Sequence, residues 1–497
     1  MNIFELSIPK IAQLLREKKI SSQEITSFYL ERIKQHSKLN AFITVLDDAT
    51  ERAKGVDKSG IKEGDSILKG IPYSLKDNML TSGVKTTCAS KILENYIASY
   101  DSTIAKKLNE SGAVLLGKTN LDEFAMGSST ENSHFGVVHN PWNEERVPGG
   151  SSGGSAVAVS AGLSQISYGT DTGGSVRLPA SFTGIASLKP TYGRVSRYGI
   201  IAFASSLDQV GPMARNIDDL AIAFDVVSGL DPMDQTTSVR KKESMYEYLE
   251  KEVKGKEKEF AKKKIGIPRD MLKEGVSPSV LKSLDDTIKT LSGLGFKFVD
   301  IELPNSKYAL DVYYIIATGE ASSNLSRYDG IHYGHRTKDY KDLKELYSLS
   351  RGEGFGDEVR RRIMLGTFVL SAGYYDAYFA KAARVRSLIK KDFENAYEKC
   401  DMILLPTSPV TAFKIGEKTD DPLTMYLSDV FTISMNLAAV PSLAFPSGFD
   451  TSGLPIGMQL AGKHFGEKDL FGTAWAFQQA RPELFNNVAT EKKGKMK

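Results

Sequence analysis

Hydrophobic positions along the chain fall into short runs whose period keeps changing. Ile11, Leu14 and Leu15 form a helical stripe near the start. Ser21-Ser22-Gln23-Glu24 has the spacing of a capping box and opens a second helix carrying Ile25, Phe28, Tyr29, Leu30 and Ile33. N-terminal helices are therefore predicted over about residues 1–60. Gly70-Ile71-Pro72-Tyr73-Ser74-Leu75-Lys76-Asp77-Asn78 reads as a short buried strand ending on a charged cluster. A helix is predicted over Ser102 to Glu110 and a strand over Ala113-Val114-Leu115-Leu116. Ala156 to Gly162 reads as a helix of small residues and Gln165 to Tyr168 as a strand. Farther on come a strand at Lys264 to Pro268, a helix at Val280 to Leu294 and a strand at Phe296 to Val299. This alternation predicts an α/β layer structure, and no internal repeat is visible.

Composition narrows the class. The chain has 497 residues, 41% hydrophobic and 25% charged, which is ordinary globular usage. Size alone allows about three domains. The balance of 64 basic against 61 acidic residues excludes a whole-protein nucleic-acid footprint. Cys88 and Cys400 can make at most one disulfide and fit no zinc or redox spacing, so a reducing compartment is expected. Six scattered histidines, with no HExxH pair, leave no metal site expected. The longest weakly polar stretch, Ser155 to Ile166, is too short to span a bilayer, and Met1 to Pro9 lacks the regions of a signal peptide. A cytoplasmic protein with no membrane contact is expected. Lys241 to Lys264 is rich in Lys and Glu and reads as a solvated insertion; residues 491–497 read as a frayed basic tail.

Candidate chemistry concentrates in a Gly/Ser-rich core over about residues 70–212. Gly112-Ala113-Val114-Leu115-Leu116-Gly117-Lys118-Thr119 satisfies GxxxxGK[ST]. Its four central residues read as a buried strand, however, and the helix comes before it rather than after, so phosphate binding is not expected. Gly149-Gly150-Ser151-Ser152-Gly153 satisfies GxSxG, which would make Ser151 a nucleophile followed by Asp429 and His464. Pro148 argues against the strand that such an elbow requires. A third reading joins both glycine runs to a lysine. Amides beside Ser175 in Gly173-Gly174-Ser175 can form an anion nest next to a nucleophile. Ser175 needs a base, and Lys76, with Ser151 between them, can serve if its pKa falls by about 3 units. Residue types alone leave open whether Lys76 merely pairs with Asp77 and Ser175 merely makes a turn.

The runs Pro148-Gly149-Gly150-Ser151-Ser152-Gly153-Gly154-Ser155 and Gly169-Thr170-Asp171-Thr172-Gly173-Gly174-Ser175-Val176-Arg177, with Ser175 placed 24 residues after Ser151, resemble the amidase signature family. The strand ending on Lys76 and the run Lys189-Pro190-Thr191-Tyr192-Gly193-Arg194-Val195-Ser196 extend the likeness over nearly the whole chain. The resemblance implies one α/β/α domain over about residues 1–490, built on a mixed, mostly parallel sheet. It implies a Ser–Ser–Lys triad with Ser175 as nucleophile, Ser151 after a cis Gly150–Ser151 peptide as proton bridge, and Lys76 as base. The amides of Thr172, Gly173, Gly174 and Ser175 would form the oxyanion hole.

Within the family, four segments look like the glutaminase subunits of tRNA-dependent amidotransferases. They are Lys118 to Gly127, Ser205 to Pro212, Glu320 to Gly330 and Arg361 to Phe368. This likeness implies that Arg362 grips the carboxylate of glutamine, Asp429 its ammonium, and that Tyr313 and Gly127 wall the pocket. It implies two partners, a B subunit that holds misacylated Glu-tRNA(Gln) and uses ATP with magnesium, and a small C subunit. This chain itself would need no cofactor. The rival readings are a stand-alone amidase of small amides and a non-catalytic scaffold.

Overall fold

Pro72–Lys76 is buried at every position, although it carries Ser74 and Lys76. Side chains in a strand alternate between faces, so complete burial means that both faces of the sheet are covered there. The same holds for Val114–Thr119, Ile166–Asp171 and Gln209–Ala214. The computed structural model describes residues 3–492. Its strands are β1 (Phe42–Val45), β2 (Pro72–Lys76), β3 (Val114–Thr119), β4 (Ile166–Asp171), β5 (Ala186–Lys189), β6 (Gln209–Ala214), β7 (Lys264–Pro268), β8 (Lys297–Ile301), β9 (Met402–Pro406), β10 (Ser442–Phe449) and β11 (Pro455–Gly462). All eleven join one sheet, in the order β1-β3-β2-β4-β6-β5-β10-β11-β9-β7-β8. One sheet replaces the three domains that length allowed.

The sheet is mixed, as expected, but the balance of directions corrects the expectation of a mostly parallel one. Four pairings are parallel, β2 with β3 and β4 and β7 with β8 and β9. The other six are antiparallel and fill the middle and one edge. The physical reason is plainest at β10 and β11. Only Asp450 to Leu454 connects them, too short for the crossover that parallel pairing needs.

Local signals act as expected. Ser21 and Glu24 form a reciprocal capping box at the start of Ser22–Gln35. Two caps were not expected: Ser102 caps Thr103–Glu110, and Ser277 caps Pro278–Leu294, which starts two residues ahead of the expected Val280. The run of N-terminal helices is interrupted by β1, which pairs with β3. In the charged insertion, Met245, Leu249 and Val253 recur every four residues and are buried, as is Phe260. That segment is thus an amphipathic cover rather than a fully solvated one. Residue 491 and its neighbour close a helix, Ala489–Lys492; the rest of the expected tail, 493–497, lies outside the described residues.

The P-loop look-alike is a strand. Lys118 is fully buried in β3, 3.1 Å from Asp77, and donates to the Met79 carbonyl at 2.8 Å and Thr86 Oγ1 at 3.1 Å. Cys88 and Cys400 are both free and buried. Among the described residues no helix is long and apolar enough to cross a membrane.

Candidate active site

The C-terminal end of β2 delivers Lys76 into the interior with no exposed surface. Its Nζ lies 2.7 Å from Ser151 Oγ and 2.9 Å from Ser152 Oγ. Burial lowers the Lys76 ammonium from its usual 10.5 to about 7, against the upward pull of Cys88, Asp122 and Asp171. Ser151 follows a cis Gly150–Ser151 peptide and is fully buried. No strand leads into it; Val147 and Pro148 are irregular, so the elbow geometry is absent.

Ser175 is brought to the same place by the backbone. The Ser152 amide donates to the Ser175 carbonyl at 3.1 Å, clamping the two glycine-rich runs together beside Ser151. Ser175 keeps a small exposure of 8% where Ser151 has none, so it faces the accessible side. The turn that carries it is organised by Asp171 at the end of β4. That carboxylate accepts the Gly174 amide at 2.9 Å, the Val176 amide at 3.2 Å and both Nε and Nη2 of Arg177 at 3.0 Å. Burial alone would raise Asp171, but the charge and hydrogen bonds of Arg177, the nearby Lys189 and a hydrogen bond from Asn436 hold it down to about 2. Arg177 is itself fully buried and also reaches Gln459 and Asn436. One expectation is corrected here. The Gly174 amide is given to Asp171, which removes it from the amides free to face an oxyanion. Thr172 is held from the other side, its hydroxyl donating to Asp208 at 2.8 Å.

Tyr313, Thr432 and Asp429 close over that turn. A Cβ on Gly173 would lie 2.7 Å from the Tyr313 ring, and one on Gly174 would lie 2.3 Å from Thr432 Oγ1 and 3.2 Å from Asp429 Oδ1. Tyr313 and Asp429 therefore press directly on the glycines, which nothing larger would allow. Asp429 accepts the Ser128 hydroxyl through Oδ2, while its buried Oδ1 has no partner. Burial raises the Asp429 carboxyl to about 7.

Arg362 separates from its neighbours. In the helix Asp357–Leu370 the side chains of Arg360 and Arg361 are about half exposed, at 46% and 51%, whereas that of Arg362 is at 4%. Its guanidinium donates to Glu358 at 2.8 Å and lies 5.2 Å from the Tyr314 ring and 5.5 Å from the Tyr426 ring. It lines a cavity of about 210 Å³ together with Gly127, Ser129, Met425 and Tyr426. A surface charge would not be built this way. Arg362 also draws the Asp429 carboxyl downward.

Several contributing residues escaped the sequence reading. Ser152 is the second hydroxyl on Lys76, and its place beside Ser151 in a Ser-Ser pair was the available signal. Asp171 and Arg177, six residues apart, had the spacing of a local ion pair. Glu358 stands four residues before Arg362 on one helix, the spacing of a helical ion pair; Ser128 and Thr432 carried no signal, because Asp429 and the Gly173 carbonyl that they bind lie 301 and 259 positions away. His464 has no contact with Ser151 and is packed instead against Phe465.

The comparisons agree with this architecture. Residues 24–471 match the model of the Amidase family. The A subunit of glutamyl-tRNA(Gln) amidotransferase from Thermoanaerobacter pseudethanolicus is 51% identical over 483 residues, covering 97% of each chain. The protein of that name from Geobacillus sp. (strain WCH70) is 51% identical over 484 residues, covering 97% of this chain and 98% of its own. Among solved structures, the Thermotoga maritima protein of the same name superposes with a TM-score of 0.79 at 43% identity over 96% of both chains. A peptide amidase in complex with the inhibitor chymostatin superposes with a TM-score of 0.81 at 28% identity over 96% of this chain and 97% of that one. A sheet, a buried lysine and two serine-bearing turns assembled over this full length have one source: the chain belongs to the amidase family.

Proposed function

We propose that this chain is the glutaminase subunit of a tRNA-dependent amidotransferase and hydrolyses glutamine by a Ser–Ser–Lys mechanism. The observation that carries the reading is Lys76, fully buried, poised near neutrality and 2.7 Å from Ser151 beside the turn that holds Ser175. Ser152 donates its own proton to the Thr170 carbonyl at 3.1 Å, so toward Lys76 it acts as acceptor. That orients an amine N–H to Ser152 and leaves the lone pair for Ser151.

In the reaction, Ser175 Oγ attacks the side-chain amide carbon of glutamine, and its proton passes through Ser151 to Lys76. The oxyanion is received by the amides of Thr172, Gly173 and Ser175. The C–N bond then breaks, the relay returns the proton to the leaving nitrogen, and ammonia departs. Water attacks the acyl ester by the same relay and releases glutamate. Arg362 suits the planar carboxylate of the substrate. The unpartnered Oδ1 of Asp429 suits its ammonium, which would also draw the raised Asp429 pKa down on binding. Tyr313 and Gly127 shape the walls.

The curated relatives are named as one component of an amidotransferase, which supports partner chains here as well. In this reading a B subunit holds misacylated Glu-tRNA(Gln), activates it with ATP and magnesium and receives the ammonia; a small C subunit completes a cytoplasmic heterotrimer. With the reconstituted complex, Ser175→Ala is expected to abolish transfer from glutamine while sparing transfer from added ammonium chloride. Simultaneous loss of both overturns the division of labour. Arg362→Ala is expected to raise the KM for glutamine by about 10²-fold; an unchanged KM removes Arg362 from the pocket.

A further inference from the structure

The helix Asp357–Leu370 brings Arg362 to the pocket; besides its crossing with Ala309–Asn324 at Gly366, it has a second anchor at its first turn. That turn is docked on a buried carboxylate from a distant loop. Glu123 Oε2 accepts the amide of Gly356, the N-cap residue, at 2.9 Å. Ser90 donates its hydroxyl to Glu123 Oε1 and lies 3.3 Å from the Gly354 carbonyl. The approach is close enough that a Cβ on Gly356 would sit 2.5 Å from Glu123 Oε2, and one on Gly354 would sit 2.5 Å from Ile92 Cδ1. A carboxylate at a helix N-terminus also meets the positive end of the helix dipole. Glu123 is 5% exposed and no part of the mechanism above uses it.

The loop that carries Glu123 also fixes the other parts of the site. Its Asp122 amide donates to the Ser151 carbonyl at 3.2 Å. Asp122 Oδ2 and Oδ1 accept the amides of Thr130 and Asn132, at 2.9 Å and 3.1 Å, which closes the loop on itself. Ser128, within the closed loop, donates to Asp429. One rigid loop thus touches the Ser151 backbone, the ammonium-binding carboxylate and the helix of the guanidinium.

We infer that Glu123 is a positioning residue for amino-acid recognition: through the Gly356 amide it sets where Arg362 stands relative to Asp429 and Ser151, and so measures the length of the substrate. The inference rests on the reading of glutamine as substrate and deepens it. A small displacement of a positioning group is enough to weaken binding strongly.

The test uses the full chain with its partner subunits. Glu123→Ala removes the acceptor; Glu123→Gln keeps a carbonyl oxygen for the Gly356 amide. The expected result for Glu123→Ala is a KM for glutamine raised about tenfold with kcat held within about twofold. Glu123→Gln is expected to restore most of that KM. The rate of Ser175 labelling by a fluorophosphonate, which has no α-carboxylate, is expected to stay at the unsubstituted level in both variants. An unchanged KM in Glu123→Ala, a Gln variant as impaired as the Ala variant, or labelling that falls in step with glutamine turnover overturns the inference. No glutamine hydrolysis by the unsubstituted complex overturns the substrate reading itself, and the inference with it.

Discussion

Lys76 illustrates how burial brings a common residue's proton equilibrium near neutrality. Lysine is normally protonated far above neutrality, and a charged amine is no acceptor. Full burial lowers Lys76 to about 7, so a large neutral fraction exists at physiological pH. Between about 7 and its ordinary value, 10.5, the unfolded chain binds more protons at this position than the folded one. The stability owed to Lys76 therefore grows as pH rises across that window and is smallest below it. Activity should follow the same titration. Fluorophosphonate labelling of Ser175 is expected to accelerate as pH rises through about 7 and then level off. Labelling, unlike glutamine turnover, does not involve Asp429, which burial also raises to about 7. A flat labelling profile across this range would remove Lys76 from the role of base. Residue types and spacing, with the family likeness, are enough to single out Lys76, Ser151 and Ser175. Residue types alone do not separate Lys76 from Lys118, which also ends a strand-like run. The structure separates them by partner: Lys118 stands 3.1 Å from Asp77, a carboxylate, and Lys76 beside hydroxyls.

At the level of elements, the pocket depends on how closely two helices approach. Ala309–Asn324 carries Tyr313, and Asp357–Leu370 carries Arg362. They cross at Gly366, where a Cβ would lie 1.9 Å from the Thr318 carbonyl oxygen. Gly366→Ala must push the helices apart. It is expected to cost about 1–3 kcal/mol in urea unfolding and to raise the KM for glutamine, because Arg362 moves with its helix. Wild-type stability and KM in that variant would show that the crossing has slack to spare. Neither of these two helices was legible in the sequence, whereas elsewhere a local signal sufficed. The capping box at Ser21 and Glu24 marks the start of Ser22–Gln35 by local chemistry alone. The inward turn of Arg362 was not legible within Arg360-Arg361-Arg362, since helical periodicity selects a face only when the opposing surface is known.

Across the described residues, the main core runs from Ile3 to Phe485, with two smaller clusters around Phe182 and around Ala156 and Val176. The N-terminal helix Ser22–Gln35 contacts the C-terminal one through Arg32 and Glu491 at 3.1 Å. Because the sheet is unbroken from β1 to β8, calorimetry of the isolated chain is expected to show a single cooperative transition. Two resolved transitions would mean that the catalytic half and the remainder hold separate cores. Taken alone, the order of residues determined the caps, the strand ending on Lys76, the two glycine-rich turns and thereby the family, because each is set by neighbours within a few positions. Tertiary structure decided the rest: the antiparallel middle of the sheet, the burial that tunes Lys76, and the meeting of Ser128 with Asp429 across 301 positions. Those outcomes depend on which distant surfaces exclude water from one another, and that is settled only when the chain has closed on itself.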